Sequence, residues 1–266
     1  MIISRSSVAG SAGLLLSIGI RPGATTNYKI MISIIIPTYN EAENIHQLIT
    51  YLKQNGGSEV NEIIVSDGGS KDATIQIAAA GAIAILSPPK GRAAQMNFGA
   101  SQATGTVFYF IHADTFPPES FVTDIKNAIA ANYDFGRYRT VFGSHKKILQ
   151  LNAFFTRFDW FVCYGGDQTL FIKRNLFGLI DGFNREMLIM EDYDIVQRAK
   201  QKGRYKIIQK NAWVSARKYE TNTWWQVQKA NYLIVQMFKK GATEEAMVDR
   251  YKTLLTPVKS MQKSSN

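Results

Sequence analysis

Short apolar runs alternate with segments of helical periodicity through the first half of the chain, and this alternation restricts the fold more than any other feature. The first run, residues 31–37, is rich in isoleucine and stops at a proline, which predicts a buried parallel strand. Residues 45–52 then carry isoleucine and leucine at helical spacing, and Asn40 with Glu43 suggests a capping box before them. A strand followed by a helix is therefore expected.

The same order recurs along the chain. Further strands are predicted at residues 62–66, 82–86 and 107–111, and helices at residues 73–80 and 92–103. Strands that alternate with helices form an α/β fold, with a mostly parallel central sheet and helices on both faces. Ligands bind such sheets beyond the carboxyl ends of the strands, so we expect the functional site at that edge.

The regular alternation stops after residue 116. The second half is predicted to contain a helix, an irregular stretch, an aromatic segment, a strand and two further helices, at residues 119–131, 133–147, 149–164, 169–173, 191–202 and 224–240. The last of these helices opens a basic tail.

Composition and charge limit the class of protein. Hydrophobic residues make up 45% of the 266 residues and charged residues 20%, which suits a folded protein and excludes an intrinsically disordered one. The net charge of +10 comes from the tail, because 15 Lys and Arg face 4 Asp and Glu from Arg198 onward. Such a tail could meet nucleic acid, anionic lipid or a phosphorylated substrate, or be a solvated surface. The lone Cys163 excludes an internal disulfide and fits a reducing compartment.

The first 30 residues have a different character. Their apolar run, residues 8–20, is shorter than the roughly 20 residues that span a bilayer, and a second methionine stands at Met31, where the first strand begins. We expect residues 1–30 to be a dispensable, non-catalytic leader, with an export signal as the alternative.

Carboxylates stand where three predicted elements meet the ligand edge. Asp67 follows the second strand, Asp114 follows the fourth, and Glu191 and Asp192 open a helix. A carboxylate at this edge can hold a base, a ribose or a metal ion. Each also has a structural interpretation: Asp67 as a turn residue, Asp114 as a cap, and Glu191 and Asp192 as first-turn charges on a helix dipole.

Taken together, the motifs resemble a known family. In chain order they are Ile34-Ile-Ile-Pro-Thr-Tyr-Asn-Glu41, Val65-Ser-Asp-Gly-Gly-Ser-Lys-Asp-Ala-Thr74, Gly91-Arg-Ala-Ala-Gln-Met-Asn-Phe-Gly99, Phe110-Ile-His-Ala-Asp-Thr115, Asp181-Gly-Phe183 and Met190-Glu-Asp192. Their order and spacing are similar to the signatures of the family 2 inverting glycosyltransferases. Within that family the chain looks most like a small subgroup with a His-Ala-Asp-Thr metal motif and a Gly-Asp-Gln segment, here Gly166-Asp167-Gln168.

The resemblance implies the A-type glycosyltransferase fold, which is Rossmann-like, and a division of the chain. Residues 31–115 would form the nucleotide-sugar-binding half, residues 116–222 the acceptor-binding half, and residues 223–266 a basic helical tail. Acceptor specificity would lie in the stretch from Tyr133 to Tyr164, where the sequence carries no readable pattern.

The resemblance also implies roles for single residues. The donor nucleotide sugar would be bound by Pro37, Thr38, Tyr39, Asn40, Glu41, Asp67, Arg92 and Asn97, with Asp67 hydrogen-bonding the base and Arg92 near the diphosphate or sugar. Two departures from the family pattern occur. The usual Asp-x-Asp metal motif is His112-Ala113-Asp114, and the doubled Asp after the second strand is Asp67-Gly68.

The chemistry explains why such groups are needed. A divalent ion stabilises the charge that develops on the leaving nucleoside diphosphate, and Asp114 is the predicted anchor of Mn²⁺ or Mg²⁺. His112 is either a second ligand, which favours Mn²⁺, or a hydrogen-bond donor behind the ligands. The acceptor hydroxyl must lose its proton, so a carboxylate base is required. Asp192 is the candidate and Glu191 its substitute, while Asp167 would orient the acceptor or donor sugar.

Alternatives from other classes were weighed against this prediction. A sugar-nucleotide nucleotidyltransferase would need a glycine-rich phosphate loop where Pro37-Thr-Tyr-Asn stands. A nucleic-acid-binding protein would need clustered basic and stacking residues, which the scattered tail charges do not provide.

The expected partners are a nucleotide-sugar donor and a hydroxyl acceptor of unknown kind, with no nucleic acid. We expect a cytoplasmic protein, either without membrane contact or peripheral at the inner face of the plasma membrane through Trp224, Trp225, Tyr232, Phe238 and the neighbouring lysines Lys229, Lys239 and Lys240.

Overall fold

A single eight-stranded sheet runs through the chain in the order β3-β2-β1-β4-β7-β6-β8-β5. The computed structural model describes residues 29–87, 91–144, 146–164 and 169–256. The strands are β1 (Ile32–Thr38), β2 (Val60–Asp67), β3 (Ile83–Leu86), β4 (Val107–Phe110), β5 (Thr115–Phe116), β6 (Phe135–Phe142), β7 (Leu170–Lys173) and β8 (Tyr205–Val214). The helices are α1 (Ile45–Gly56), α2 (Thr74–Ala79), α3 (Arg92–Gln102), α4 (Phe121–Ala130), α5 (Lys147–Phe155), α6 (Arg174–Leu179), α7 (Glu191–Lys200), α8 (Lys218–Thr221), α9 (Trp224–Lys239) and α10 (Glu244–Leu254).

The first half confirms the predicted alternation. Strands β3, β2, β1 and β4 pair in parallel, and every residue of β1 is buried, as its isoleucine content predicts. Ile32, Ile34 and Ile36 pack with α1 and α4 on one face, while Ile35 packs with α3 and α7 on the other. The sheet therefore carries helices on both faces and opens its carboxyl edge near Thr38 and Asp67.

The second half extends the same sheet with mixed strand directions. Strand β7 is antiparallel to β4 and to β6, β6 and β8 are parallel, and β5 is antiparallel to β8. The predicted irregular stretch is wrong for its central part, because residues 135–142 form β6. Its buried positions include Gly136, Arg137 and Thr140, which do not give an apolar alternation.

The start of α1 also differs from the prediction. Asn40 does not cap a helix, since α1 begins at Ile45 and the residue before it makes no side-chain cap. Asn40 has a left-handed backbone with φ of 55°, receives a hydrogen bond from the Lys71 amide and donates its own amide to Ser70. It joins the end of β1 to the turn after β2.

Two helices complete the described chain. Helix α9 begins with a capping box formed by Thr223 and Gln226, and it buries Val227, Ala230 and Ile234. Helix α10 follows it, so the predicted helical tail is confirmed as far as residue 256. The predicted leader, up to residue 28, and the last ten residues of the tail lie outside the described residues. No helix in the described ranges is long and apolar enough to cross a membrane.

Candidate active site

Two carboxylates and one guanidinium meet at the carboxyl edge of the sheet. A single Arg217 nitrogen lies 3.2 Å from each Glu41 oxygen and 3.1 Å from Asp114 Oδ2. The parallel pairing of β1 with β4 brings Glu41 and Asp114 together, because each follows the end of its strand by a few residues. All three side chains are half-buried. We call this group the Glu41–Asp114–Arg217 cluster.

The strand pairing also explains the position of Arg217, which was not predicted. Strand β5 follows Asp114 directly and pairs with the end of β8, and the Ser215 amide donates to the Asp114 carbonyl at 3.1 Å. Arg217 follows β8 by three residues. The sequence offered no strand pattern for β8. The only sign of Arg217 in the sequence is therefore a cation soon after the apolar residues Ala212 and Val214.

The charges in this cluster are coupled. Burial raises the pKa of Glu41 above its usual value, although Arg217 and the hydrogen bond from Asn44 act in the opposite direction. Burial alone would lower the pKa of Arg217, but Glu41 and Asp114 outweigh it and raise that pKa. The guanidinium therefore stays charged and neutralises a place where two acids lie side by side.

Asp67 occupies a neighbouring strand end, where it closes a turn. It is fully buried, and its carboxylate accepts hydrogen bonds from the amides of Gly69 and Ser70 and from the hydroxyls of Ser70 and Thr38. A carboxylate has about four acceptor positions, and all of them are used here. The turn interpretation of Asp67 therefore describes these contacts, and its predicted hydrogen bond to a base stays a prediction.

The turn is held from behind by Gln95. Its amide nitrogen donates to the carbonyls of Thr38 and Ser66 at 2.5 and 3.3 Å. A Cβ atom on Gly68 would lie 2.5 Å from that same nitrogen. Glycine at position 68 thus leaves room for the Gln95 amide, which a side chain there, such as the second aspartate of the family pattern, would displace.

The other predicted donor-binding residues of β1 differ in accessibility. Pro37 is buried within β1 and Thr38 is 2% exposed, so both side chains lie inside the sheet. Tyr39 is 43% exposed and lies at the rim. Of these residues, Tyr39 is the one whose side chain most openly faces solvent at the carboxyl edge.

A second charged pair lies at the start of α3 and α7. Arg92 opens α3 and contacts Glu191 Oε1, which opens α7, at 2.6 Å. Glu191 is 1% exposed, whereas 40% of the Arg92 side chain is accessible. Glu191 thus binds Arg92 from within the protein, and Arg92 is the more accessible member of the pair.

Asp192 projects into a different environment from its neighbour Glu191. It lines a narrow cavity of about 10 Å³ together with Arg137, Tyr164, Thr169 and Tyr205, space for at most one water. Arg137 is 2% exposed and donates from Nε to the Tyr205 hydroxyl at 2.7 Å. Sequence analysis missed Arg137 because it lies on the unpredicted strand β6.

The remaining predicted residues have the following positions. The Asn97 side chain receives a hydrogen bond from the Phe183 amide and donates one to the Phe183 carbonyl, so it fixes the loop at residues 181–183. The ligand contact predicted for Asn97 stays a prediction. His112 is half-buried between β4 and β5. Asp167 lies outside the described residues.

The described part of the chain contains no group of three or more His, Cys, Asp or Glu side chains arranged to hold a metal ion.

A groove of about 640 Å³ lies beside Asp114, between α1 and the β5–β8 end of the sheet. Amide and aromatic side chains line it, among them Gln47, Tyr51, Phe116 and Trp213. Such side chains suit contacts with a polar ligand that has apolar faces.

The parallel sheet, its charged carboxyl edge and the mixed extension define the A-type glycosyltransferase fold. Solved structures with this fold support the assignment. TarS of S. aureus, residues 1–349 in complex with UDP-GlcNAc, has a TM-score of 0.58 and 19% sequence identity. The match covers 70% of this chain and 58% of the TarS chain. The mannosyltransferase PcManGT of Pyrobaculum calidifontis, in complex with GDP-Man and Mn²⁺, has a TM-score of 0.57 and 16% sequence identity. The match covers 86% of this chain and 70% of the PcManGT chain.

The chain belongs to glycosyl transferase family 2, whose model matches residues 33–184. The glycosyltransferase AglE of Haloferax volcanii is 32% identical over 99 residues, a match that spans 34% of this chain and 33% of that protein. The predicted fold class and the assignment to family 2 are confirmed, while the inverting subgroup with the His-Ala-Asp-Thr metal motif stays a prediction.

Proposed function

We propose that this protein transfers a sugar from a nucleoside-diphosphate sugar to an acceptor hydroxyl, with inversion at the anomeric carbon and with dependence on Mn²⁺ or Mg²⁺. The observation that carries the proposal is the meeting of Glu41 and Asp114 on Arg217 at the ligand edge of an A-type glycosyltransferase sheet. The names of the similar structures, which include UDP-GlcNAc, GDP-Man and Mn²⁺, support the donor class.

A divalent ion fits this place by charge and by ligand chemistry. The cluster already attracts a cation, the Arg217 guanidinium, between two carboxylates. Mg²⁺-type sites typically use one or two protein carboxylates together with substrate phosphates, so a third protein ligand is not required. Asp114 would hold the ion, with Glu41 or His112 beside it. When bound, the ion would neutralise charge on the departing nucleoside diphosphate.

The chain's own residues divide the remaining work. Residues 31–115 would bind the nucleotide, with Tyr39 at the rim and Asp67 shaping the turn beside it. Arg92, held by Glu191, would face the diphosphate or the donor sugar. Residues 116–222 would bind the acceptor. The groove beside Asp114, which α1 and the β5–β8 end of the sheet line together, is wide enough for a sugar unit.

Asp192 would take the proton from the acceptor hydroxyl. A base on the opposite side from the leaving group allows a single displacement, which inverts the anomeric carbon. Because the cavity at Asp192 is narrow, the acceptor hydroxyl would reach the carboxylate only after the surrounding residues move.

The proposal is tested by thermal denaturation with UDP or GDP, each with and without MnCl₂. We expect one nucleotide to raise the melting temperature only in the presence of the metal, because a ligand that binds the folded state shifts unfolding to higher temperature. NAD is the matched control, since it also contains a diphosphate. Equal stabilisation by NAD, or none by UDP and GDP, would contradict the proposal.

The sequence left two alternatives for the tail, packing on the domain or peripheral membrane contact, and we favour packing on the domain. Helix α9 packs Trp224 and Phe238 against the protein, and of the predicted aromatic face only Trp225 and Tyr232 remain exposed. Nucleic acid is not among the proposed partners.

A further inference from the structure

Helix α5 exposes most of its apolar side chains. Leu149 is its one buried residue among those described, although the helix sequence is KILQLNAFF. Ile148, Leu151, Phe154, Phe155 and the nearby Trp160 are between 36% and 51% exposed. Scattered exposed hydrophobic residues are normal, but five within thirteen consecutive residues form a patch that usually marks a contact surface. We call these five residues the α5 patch.

The α5 patch is held in place by aromatic contacts and by the buried core. The Phe158 ring stacks on Trp160 with centroids 4.8 Å apart, and Phe155 stacks on Trp160 at 5.9 Å. Buried Arg137 donates to the carbonyls of Thr156 and Phe158 at 2.7 and 3.2 Å. The patch is therefore a preformed surface, and Arg137 connects it to the cavity that Asp192 lines.

Basic side chains surround the patch. Lys146 and Lys147 are exposed at the beginning of α5, and the Arg157 guanidinium lies 3.9 Å from the centre of the Phe154 ring. The one acid of this segment, Asp159, is already paired with Lys200. An apolar centre with a cationic border thus faces solvent.

We propose that the α5 patch docks on the surface of an anionic lipid bilayer. Apolar and aromatic side chains enter the boundary between headgroups and acyl chains, while lysine and arginine bind the anionic headgroups. A second copy of the chain is a poorer partner, because a twofold contact would bring the same cations of both copies to one interface. The proposed contact is peripheral, because α5 has nine residues and the roughly 20 that span a bilayer are not available in it.

The test is sedimentation of the full chain with phosphatidylcholine vesicles that contain or lack phosphatidylserine. A variant with Leu151→Ser, Phe154→Ser and Phe155→Ser removes the apolar centre. We expect wild type to bind the anionic vesicles and this variant to lose about tenfold or more in affinity, because apolar burial and charge both contribute to such binding. A separate variant, Lys147→Glu, is expected to weaken binding to anionic vesicles only.

The matched control carries Trp225→Ser and Tyr232→Ser, the two exposed aromatic residues of α9. It should bind like wild type. Each variant is checked for wild-type melting temperature, and the chain is sized by light scattering without vesicles. The proposal is overturned if wild type does not bind, if the α5 variant binds equally well or if the α9 control loses binding instead. It is also overturned if wild type is a dimer that the α5 substitutions dissociate. No nucleotide or metal is needed, so this outcome is independent of the proposed reaction.

Discussion

The two charged groups at the ligand edge differ in how firmly their partners are fixed. In the Glu41–Asp114–Arg217 cluster all three side chains are partly accessible and one guanidinium bridges two acids. In the Arg92–Glu191 pair the acid is almost fully buried and its contact with arginine is short. In an accessible cluster a metal ion can replace the arginine as the cation beside the carboxylates. A buried acid that loses its arginine is instead left with an uncompensated charge. The first group is therefore suited to ligand chemistry and the second to positioning.

The largest effect is expected for Asp114→Asn. An amide oxygen keeps the shape but not the charge of the proposed metal anchor, so metal-dependent turnover should be abolished while the fold persists. The same variant should lose the Mn²⁺-dependent stabilisation by nucleoside diphosphate in thermal denaturation. His112→Ala is the comparison and should lose activity only in part. Wild-type turnover in Asp114→Asn would remove the metal assignment.

The next effect is expected for Asp192→Asn, which keeps size and hydrogen bonding but removes basicity. Turnover should fall by roughly 10² to 10⁴ while donor affinity stays close to that of wild type. Transfer rate and nucleotide binding are measured separately, and the product is examined for inversion. An active Asp192→Asn together with an inactive Glu191→Gln would reassign the base, and retained configuration would contradict the single displacement.

The sequence located the residues of these first two predictions for different reasons: Asp192 stands in the Met190-Glu-Asp192 motif at the start of a predicted helix, whereas Asp114 follows a strand of the parallel half of the sheet. Strands β1, β2 and β4 have apolar sequences, so the positions after them could be identified without the structure. The partners could not be found this way. Arg217 is separated from Glu41 by 176 residues and from Asp114 by 103, and it follows a strand with no clear pattern. Arg137 likewise lies in β6, whose buried residues are not all apolar.

The roles of Asp67 and Asn97 were harder to predict for a different reason. Both residue types bind ligands and also hydrogen-bond nearby backbone, and the sequence does not say which choice is made. In the structure Asp67 closes a turn and Asn97 fixes Phe183, and the predicted contacts of both residues with the donor stay predictions. The site therefore depends on a scaffold of polar contacts behind the residues proposed to meet substrate.

A smaller effect on turnover is expected for Glu191→Gln, because Glu191 acts through Arg92. The buried charge partner is lost but a hydrogen-bonding group remains, so the free energy of unfolding should fall by about 1–3 kcal/mol. Thermal or urea denaturation measures this change. Donor affinity should weaken as Arg92 becomes less well oriented. If Glu191→Gln keeps wild-type stability and donor affinity, the Arg92–Glu191 pair is not a positioning contact.

The smallest effect, and the one that separates the two groups most directly, is expected for Arg217→Gln. Glutamine removes the positive charge between Glu41 and Asp114, so in the absence of nucleotide Mn²⁺ should bind more tightly, by up to about tenfold, because the cations no longer compete for the same carboxylates. Electron paramagnetic resonance of free Mn²⁺ measures this without any turnover. Arg217→Lys keeps the charge and should leave Mn²⁺ affinity near that of wild type. Arg92→Gln is the matched control, because it removes an arginine from the other group and should not change Mn²⁺ affinity. Unchanged Mn²⁺ binding in Arg217→Gln, or an equal gain in Arg92→Gln, would show that the accessible cluster does not exchange its cation as the comparison requires.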